Sequence, residues 1–212
     1  MPAAPLSPDP TDTAAVLLAA GAGTRLGRGP KALLPHRGRP LVEHVADVLL
    51  AGGCGAVRVV LGAEADRVLA EAAFPDPAVR VVVNPAWATG MASSLRTGVT
   101  AALGLGPRRV VVAHVDQPGV APEDVARLLA AHRPGRVAAS RWADATASDG
   151  SRPRWAHPLV LDAELAGPAA ASAVGDAGAR AFLRAHADLI DVVTHPGDGR
   201  DVDTEADLDL LA

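Results

Sequence analysis

"AAVLLAAGAGTRLGRGPKALLP", residues 14–35, passes from an unbroken apolar run into a segment of glycines, arginines and a lysine. An apolar run of strand length ending at a glycine is the pattern of a parallel strand buried on both faces. Glycines placed as Gly21, Gly23 and Gly27 let backbone amides approach an anion, and Arg25 and Lys31 supply countercharge. Pro30, Pro35 and Pro40 then each remove an amide donor and disfavour helix in the residue before them. A continuous helix therefore starts no earlier than about Pro40, and the segment reads as a long extended loop that wraps a ligand.

Other phosphate loops fit less well. A Walker loop needs G-x-x-x-x-G-K-[ST], but Arg28 follows Gly27 and Ala32 follows Lys31. "GAGTRLG" matches a loose dinucleotide fingerprint, yet that fold starts its helix inside the glycine turn, which the prolines oppose. An ordinary glycine turn with solvated cations is the bland alternative. Against it stands the coincidence of apolar strand, glycines and cations at one strand's carboxyl end.

Outward from this stretch, the buried-strand signal recurs at 56–62, 78–84 and 109–116, and segments of helical period lie at 41–51, 64–73, 93–103 and 122–132. Strand alternating with helix implies parallel pairing with right-handed crossovers, and ligands bound beyond the strands' carboxyl ends. The segments so selected are Gly21 to Lys31, Asn84 to Ser94 and His114 to Pro118. The second half is less regular: strands in "GRVAASRW" and "RWAHPLVL" flank the polar "ADATASDGSRP", followed by helical "DAGARAFLRAHA", strand "LIDVVTH" and a closing helix in "TEADLDLL". Residues 1–12, rich in Pro and Ala, read as a disordered tail, leaving 13–212 as one α/β domain.

Composition narrows the function. The net charge of −4 opposes binding to a phosphate backbone, and with aromatics at 2% there is no stacking platform for single strands, so nucleic acid is not an expected partner. No run approaches the length of a membrane span, no leader pattern opens the chain, and a single cysteine, Cys54, permits no internal disulfide. A cytoplasmic protein is expected.

"LAAGAGTRLGRGPKALL" closely resembles the L-A-A-G-x-[GS]-x-R-x-G-x(n)-K signature of nucleotidyltransferases, and within them the MobA-like NTP transferases, which include the molybdenum cofactor cytidylyltransferases. Four further segments are similar to that family's motifs, in its order: "NPAWATGMASSLRTG" (84–98), "VDQP" (115–118), "GDAGAR" (175–180) and "DVDTEADL" (201–208). The resemblance implies a three-layer α/β/α fold with a mostly parallel, Rossmann-like sheet of the nucleotide-diphospho-sugar transferase type. It also implies attack of a phosphorylated acceptor on the α-phosphorus of a nucleoside triphosphate, CTP favoured, with pyrophosphate released.

In that reading Leu18, Ala19, Ala20, Gly21, Gly23 and Gly27 form the triphosphate loop, and Arg25 and Lys31 are catalytic cations. Asp116, catalytic and a metal ligand, sits where an apolar strand ends; a carboxylate there suits Mg²⁺, and Asp203 is the second ligand by resemblance. Asn84, Gly90, Ser93 and Ser94 read the base, while Gly175, Asp176, Gly178, Arg180 and His157 face the acceptor. Asp116, Asp203 and Ser93 have an alternative as helix caps, Trp87 as loop packing, Gly175 to Arg180 as a plain helix start and His157 as a structural histidine.

The motif departs from the family at Val115, where a glycine is usual, so a β-branched side chain is expected to narrow the approach to Asp116. The implied recipient of the product is a molybdoenzyme or its insertion chaperone. Two other functions share the scaffold: an NAD(P)H-dependent reductase of the nicotine blue oxidoreductase type, and a non-catalytic nucleotide- or cofactor-binding chaperone.

Overall fold

The computed structural model describes residues 12–145 and 154–212. The expected tail, apart from Asp12, and residues 146–153 of the polar stretch lie outside the described residues. β1 (Thr13–Leu18) is wholly buried, as its unbroken apolar run requires. A short hairpin follows, β2 (Pro35–His36) with β3 (Arg39–Pro40), and α1 (Leu41–Ala51) begins directly after Pro40. β4 (Ala56–Leu61), α2 (Ala65–Glu71), β5 (Val79–Val83), α3 (Met91–Leu103), β6 (Arg109–His114) and α4 (Pro122–Ala131) complete the alternating half. The second half contains β7 (Val137–Trp142), β8 (Ala156–Asp162), α5 (Ala163–Ala171), α6 (Arg180–Ala185) and β9 (Ile190–His195).

Seven strands form one sheet in the order β5-β4-β1-β6-β8-β7-β9, with β8 antiparallel to both neighbours and the other pairings parallel. Alternate residues of β1 divide between two cores. Ala15 and Leu17 join α1 and α4 on one face, while Ala14, Val16 and Leu18 join α3, α5 and α6 on the other. The three-layer α/β/α arrangement is therefore present. From β1 the chain winds outward to β4 on one side and later returns to β6 on the other, so the strand order reverses at β1 and β6. A crevice opens beyond the carboxyl ends of two such strands.

Local differences from the sequence reading have identifiable causes. α5, unforeseen, holds Pro168 inside a run of alanines whose face carries little polar contrast. The helix expected over 176–187 is confined to Arg180–Ala185, because Gly175 and Gly178 each adopt φ +53° and break it upstream. The closing helix over Glu205–Leu211 has the tighter 3₁₀ winding.

Candidate active site

Sheet pairing fixes the entrance to the glycine loop. Ala19 N–H donates to Val60 O at 3.0 Å and Leu18 O accepts from Val115 N–H at 3.1 Å, so Leu18 and Ala19 extend the sheet. Ala20 O accepts from Ala63 N–H at 3.0 Å, closing the loop's neck. Beyond it the chain turns at Gly23 (φ +63°) and Gly27 (φ +69°), and Gly27 N–H returns to Gly23 O at 3.0 Å. A Cβ on Gly23 would lie 2.0 Å from Gly29 O, so the close approach of the two chain segments excludes any side chain there. Gly21 and Gly27 face open space.

The loop's cations meet carboxylates from distant parts of the chain. Lys31 Nζ donates to Asp116 Oδ2 at 2.7 Å and also to Asp203 Oδ1. Arg25 reaches Asp203 at 3.4 Å, and Arg28 reaches Glu205 at 3.2 Å. Burial lowers the Lys31 pKa, but the charge of Asp116 and the hydrogen bonds of both aspartates outweigh it, and the pKa is raised. The segment carrying Asp203 is held by its backbone: Val202 N–H donates to Asp116 O at 2.8 Å while the Val202 side chain is fully buried.

Between Asp116 and Asp203 the sequence reading passed over Asp201. Its side chain lies exposed at the pocket wall, and partial desolvation there together with the charges of Asp116 and Asp203 pushes its pKa up to about 6. Its signal was present in "DVDT", where two aspartates straddle one buried valine. Among the described residues no ready-made cluster of three metal-binding side chains exists. The oxygen donors nevertheless fit a hard cation: Asp116 Oδ1 is buried with no hydrogen-bond partner, and Asp116 and Asp203 already converge on one positive charge.

The structure gives neither aspartate a capping role. α4 starts six residues beyond Asp116, and there Asp124 accepts from Ala121 N–H at 3.1 Å. Asp207, not Asp203, accepts from Thr204 N–H at 2.8 Å before the terminal 3₁₀ turn.

Asn84, Ser93 and Ser94 are buried and bonded to one another: Asn84 Nδ2 donates to Ser93 Oγ at 2.8 Å and to Ser94 Oγ at 3.0 Å. Asn84 Oδ1 accepts from Ala86 N–H at 3.0 Å, and Ser93 Oγ lies 3.0 Å from Ala86 O and 2.9 Å from Gly90 O. These side chains thus shape the turn from within. Trp87 packs where a Cβ on Gly62 would stand 2.4 Å from its own Cβ.

The 175–180 segment docks on the same turn. Met91 N–H donates to Asp176 Oδ1 at 3.1 Å and Ala92 N–H to Gly175 O at 2.8 Å, which caps α3 from a distant loop. Gly90, at φ +111°, leaves no room for a Cβ, which would fall 2.6 Å from the Gly175 carbonyl carbon.

Beside these elements lies a cavity of about 920 Å³ lined by His114, Gln117, Trp142, Trp155, His157 and Arg180 among other residues, with Leu95, Leu159 and Leu183 as apolar wall. Asp176 and Gly178 also reach it. The rings of His114 and His157 lie 4.0 Å apart. Burial holds the His157 pKa well below the ordinary value, reinforced by His114 and Arg180; burial lowers that of His114 as well, against the opposing charge of Asp116. Val115, expected to narrow the approach to Asp116, is 6% exposed and packs into the core shared with α1 and α4 rather than lining this cavity.

Residues 15–189 match the MobA-like NTP transferase domain. The chain is 49% identical over 192 residues, 89% of its length and 91% of the relative's, to a nicotine blue oxidoreductase of Paenarthrobacter nicotinovorans. A shorter match, 38% over 121 residues, covers 56% of this chain and 53% of a 2-C-methyl-D-erythritol 4-phosphate cytidylyltransferase of Cereibacter sphaeroides. Among solved structures, Rv0371c of Mycobacterium tuberculosis H37Rv superposes with a TM-score of 0.77 at 28% identity, covering 94% of this chain and 97% of that one. A manganese complex of Rv0371c superposes at 0.73, with 27% identity and coverage of 94% and 98%.

Proposed function

The chain belongs to the MobA-like NTP transferase family, and on that premise we propose a divalent-metal-dependent nucleotidyltransferase that moves CMP from CTP to molybdopterin or a related phosphorylated acceptor, releasing pyrophosphate. One observation carries the reading. Lys31, Asp116 and Asp203 meet beyond the carboxyl ends of β1 and β6, next to an open glycine turn and a pocket roomy enough for a second substrate.

An acceptor phosphate is already ionised near neutral pH, so the chain supplies position and charge rather than a general base. In this reading the amides of Gly21, Gly23 and Gly27 hold the triphosphate in a turn fixed by Leu18, Ala19 and Ala20. Arg25 and Lys31 neutralise charge moving to the leaving pyrophosphate. The turn built on Asn84, Ser93 and Ser94 presents its backbone to the base, with Gly90 allowing close approach. Arg180 and His157 face the acceptor, and Gly175, Asp176 and Gly178 set that wall of the site. Asp116 and Asp203 would hold Mg²⁺ or a similar ion, which supplies charge neutralisation at the phosphates when bound. A molybdoenzyme or its insertion chaperone would receive the product.

The 49% identical relative and the apolar pocket favour a second reading, an NAD(P)H-dependent reductase on the same scaffold. Calorimetric titration of CTP, GTP, ATP and NADPH, each with and without Mg²⁺, separates the two. Mg²⁺-dependent binding of one triphosphate, with pyrophosphate release once an acceptor is supplied, is the expected result. Metal-independent NADPH binding with no triphosphate binding would overturn the transferase and favour the reductase.

A further inference from the structure

Asp203 reaches Lys31 at the end of a segment with no regular structure of its own. Residues 196–203 run on from β9 without helix or strand, and the backbone bends at Gly197 (φ +87°) and Gly199 (φ +58°). Such a segment takes its shape from what it leans on. Ala143 N–H donates to His195 O at 2.9 Å and Asp144 N–H to Gly197 O at 3.0 Å, which fixes its start, and Val202 N–H on Asp116 O fixes its end. Between these anchors stands Gly199. Its carbonyl accepts from Gln117 Nε2 at 3.2 Å, and it lies so close to Trp142 that a Cβ there would stand 2.2 Å from both Cδ1 and Nε1 of the indole.

Trp142 is itself held from several sides. It ends β7, is 4% exposed, and its Nε1 donates to His157 O at 3.1 Å on β8. Its ring centroid lies 5.0 Å from that of His195, which is 1% exposed and has its Nδ1 3.1 Å from Asp124 Oδ1 at the start of α4. In so close-packed a setting the indole has nowhere to swing. The ring therefore limits how far the segment can sink toward β7, and Asp203 follows four residues after the point of contact.

We propose that Trp142 is a positioning residue for the metal: it touches neither ion nor phosphate, but through Gly199 it sets where Asp203 stands opposite Asp116. This rests on the assignment of the two aspartates as metal ligands in the proposed function. Groups that orient the ligands of a metal commonly change its affinity by about 10–100-fold. The conformation of a whole segment is here assigned to one ring.

The Mn²⁺ affinity of the full chain without nucleotide, read from the paramagnetic resonance signal of the free ion, tests the idea. Gly199→Ala should weaken Mn²⁺ binding about tenfold. Gly197→Ala, also at a positive φ but with nothing within 4 Å of its added methyl, should weaken it far less. In a Trp142→Val background, where binding is already weakened, Gly199→Ala should cost little more, because the methyl no longer meets a ring. A role in stability alone would move urea midpoints and leave Mn²⁺ affinity unchanged. Parental affinity in Gly199→Ala, an equal loss in Gly197→Ala, or a further tenfold loss in the Trp142→Val background would each overturn the proposal.

If the variants do not fold, the unaltered chain decides. With ¹⁵N-labelled tryptophan, Mg²⁺ should shift the indole N–H resonance of Trp142, assigned by elimination with Trp87→Phe and Trp155→Phe, and an unmoved resonance overturns the proposal. CTP binding with Mg²⁺ reports separately on the transferase. Normal CTP binding with equal Mn²⁺ affinities in all variants sinks only the role of Trp142, and Gly199-dependent Mn²⁺ binding without CTP binding sinks only the transferase. A parent that binds no Mn²⁺ overturns the metal assignment and this proposal with it.

Discussion

Lys31 donates to Asp116 at 2.7 Å across 85 positions of sequence, and the same ammonium reaches Asp203 near the end of the chain. A cation of the glycine loop therefore sits between two carboxylates. In the proposed reaction, triphosphate and metal binding would be linked through this contact, since an ion that takes the carboxylates would release the lysine for phosphate.

Asp203→Asn should raise the affinity for CTP in the absence of metal severalfold, because it removes the carboxylate that competes for Lys31 and Arg25. The gain in affinity on adding Mg²⁺ should shrink in the same variant. Paired titrations with and without Mg²⁺ measure both quantities; a metal-free affinity that stays the same or falls would show that the carboxylate does not compete with phosphate.

Lys31→Met leaves Asp116, 19% exposed, facing Asp203 without the ammonium between them, with only the exposed Arg25 still reaching Asp203. The partly buried site should lose about 1–3 kcal/mol of stability. Added Mn²⁺ should restore part of that loss and should stabilise the variant more than the parent. Urea denaturation with and without the ion measures this, and equal stabilisation of both proteins would argue against a shared cation position.

Gly23→Ala should abolish triphosphate binding while the sheet stays folded. The new methyl meets the Gly29 carbonyl, a backbone atom that can move only if the loop opens. Gly27→Ala, at a positive φ but with open space around it, should be milder. Circular dichroism and CTP titration together check the pair; normal CTP affinity in Gly23→Ala would mean that the turn is not the phosphate cradle.

Acid should destabilise the protein earlier than its carboxylates alone would. Burial lowers the pKa values of His36 and His157 below the ordinary 6.5, so below that pH the unfolded chain takes up protons that the folded chain refuses. Stability is then fully present above about pH 6.5 and falls as pH drops toward the folded pKa values, by about 1.4 kcal/mol per pH unit for each such histidine. Urea midpoints at pH 7.5, 6.5 and 5.5 should decline, and His36→Phe should make the decline shallower. A midpoint constant across that range would refute the account.

Much of this architecture was legible in local sequence. The unbroken run of β1 has to be buried on both faces, and prolines 30, 35 and 40 forbid an early helix, which the structure honours by starting α1 at Leu41. Carboxyl-edge placement of Asp116 followed from the apolar strand before it. α5 was less visible, since an alanine-rich helix against an apolar sheet has little periodic contrast to read. Asp201 escaped notice because its raised pKa comes from partial desolvation at the pocket wall and from carboxylates brought near it only by folding.

The direction of Val115 also lay beyond sequence, because alternation along a strand fixes which residues share a face but not which face holds the ligand. Asn84, Ser93 and Ser94 carried the right polarity to touch a base, yet folding turned them on one another, satisfying donors that burial would otherwise leave costly. The amino-acid sequence by itself determined the strand–loop–helix alternation and the glycine loop with its charge, since these depend on periodicity and on the backbone limits of Gly and Pro. Only the tertiary structure decided that Lys31, Asp116 and Asp203 meet and that Asp176 caps α3, because such contacts arise where the sheet order reverses and distant segments are brought to one edge.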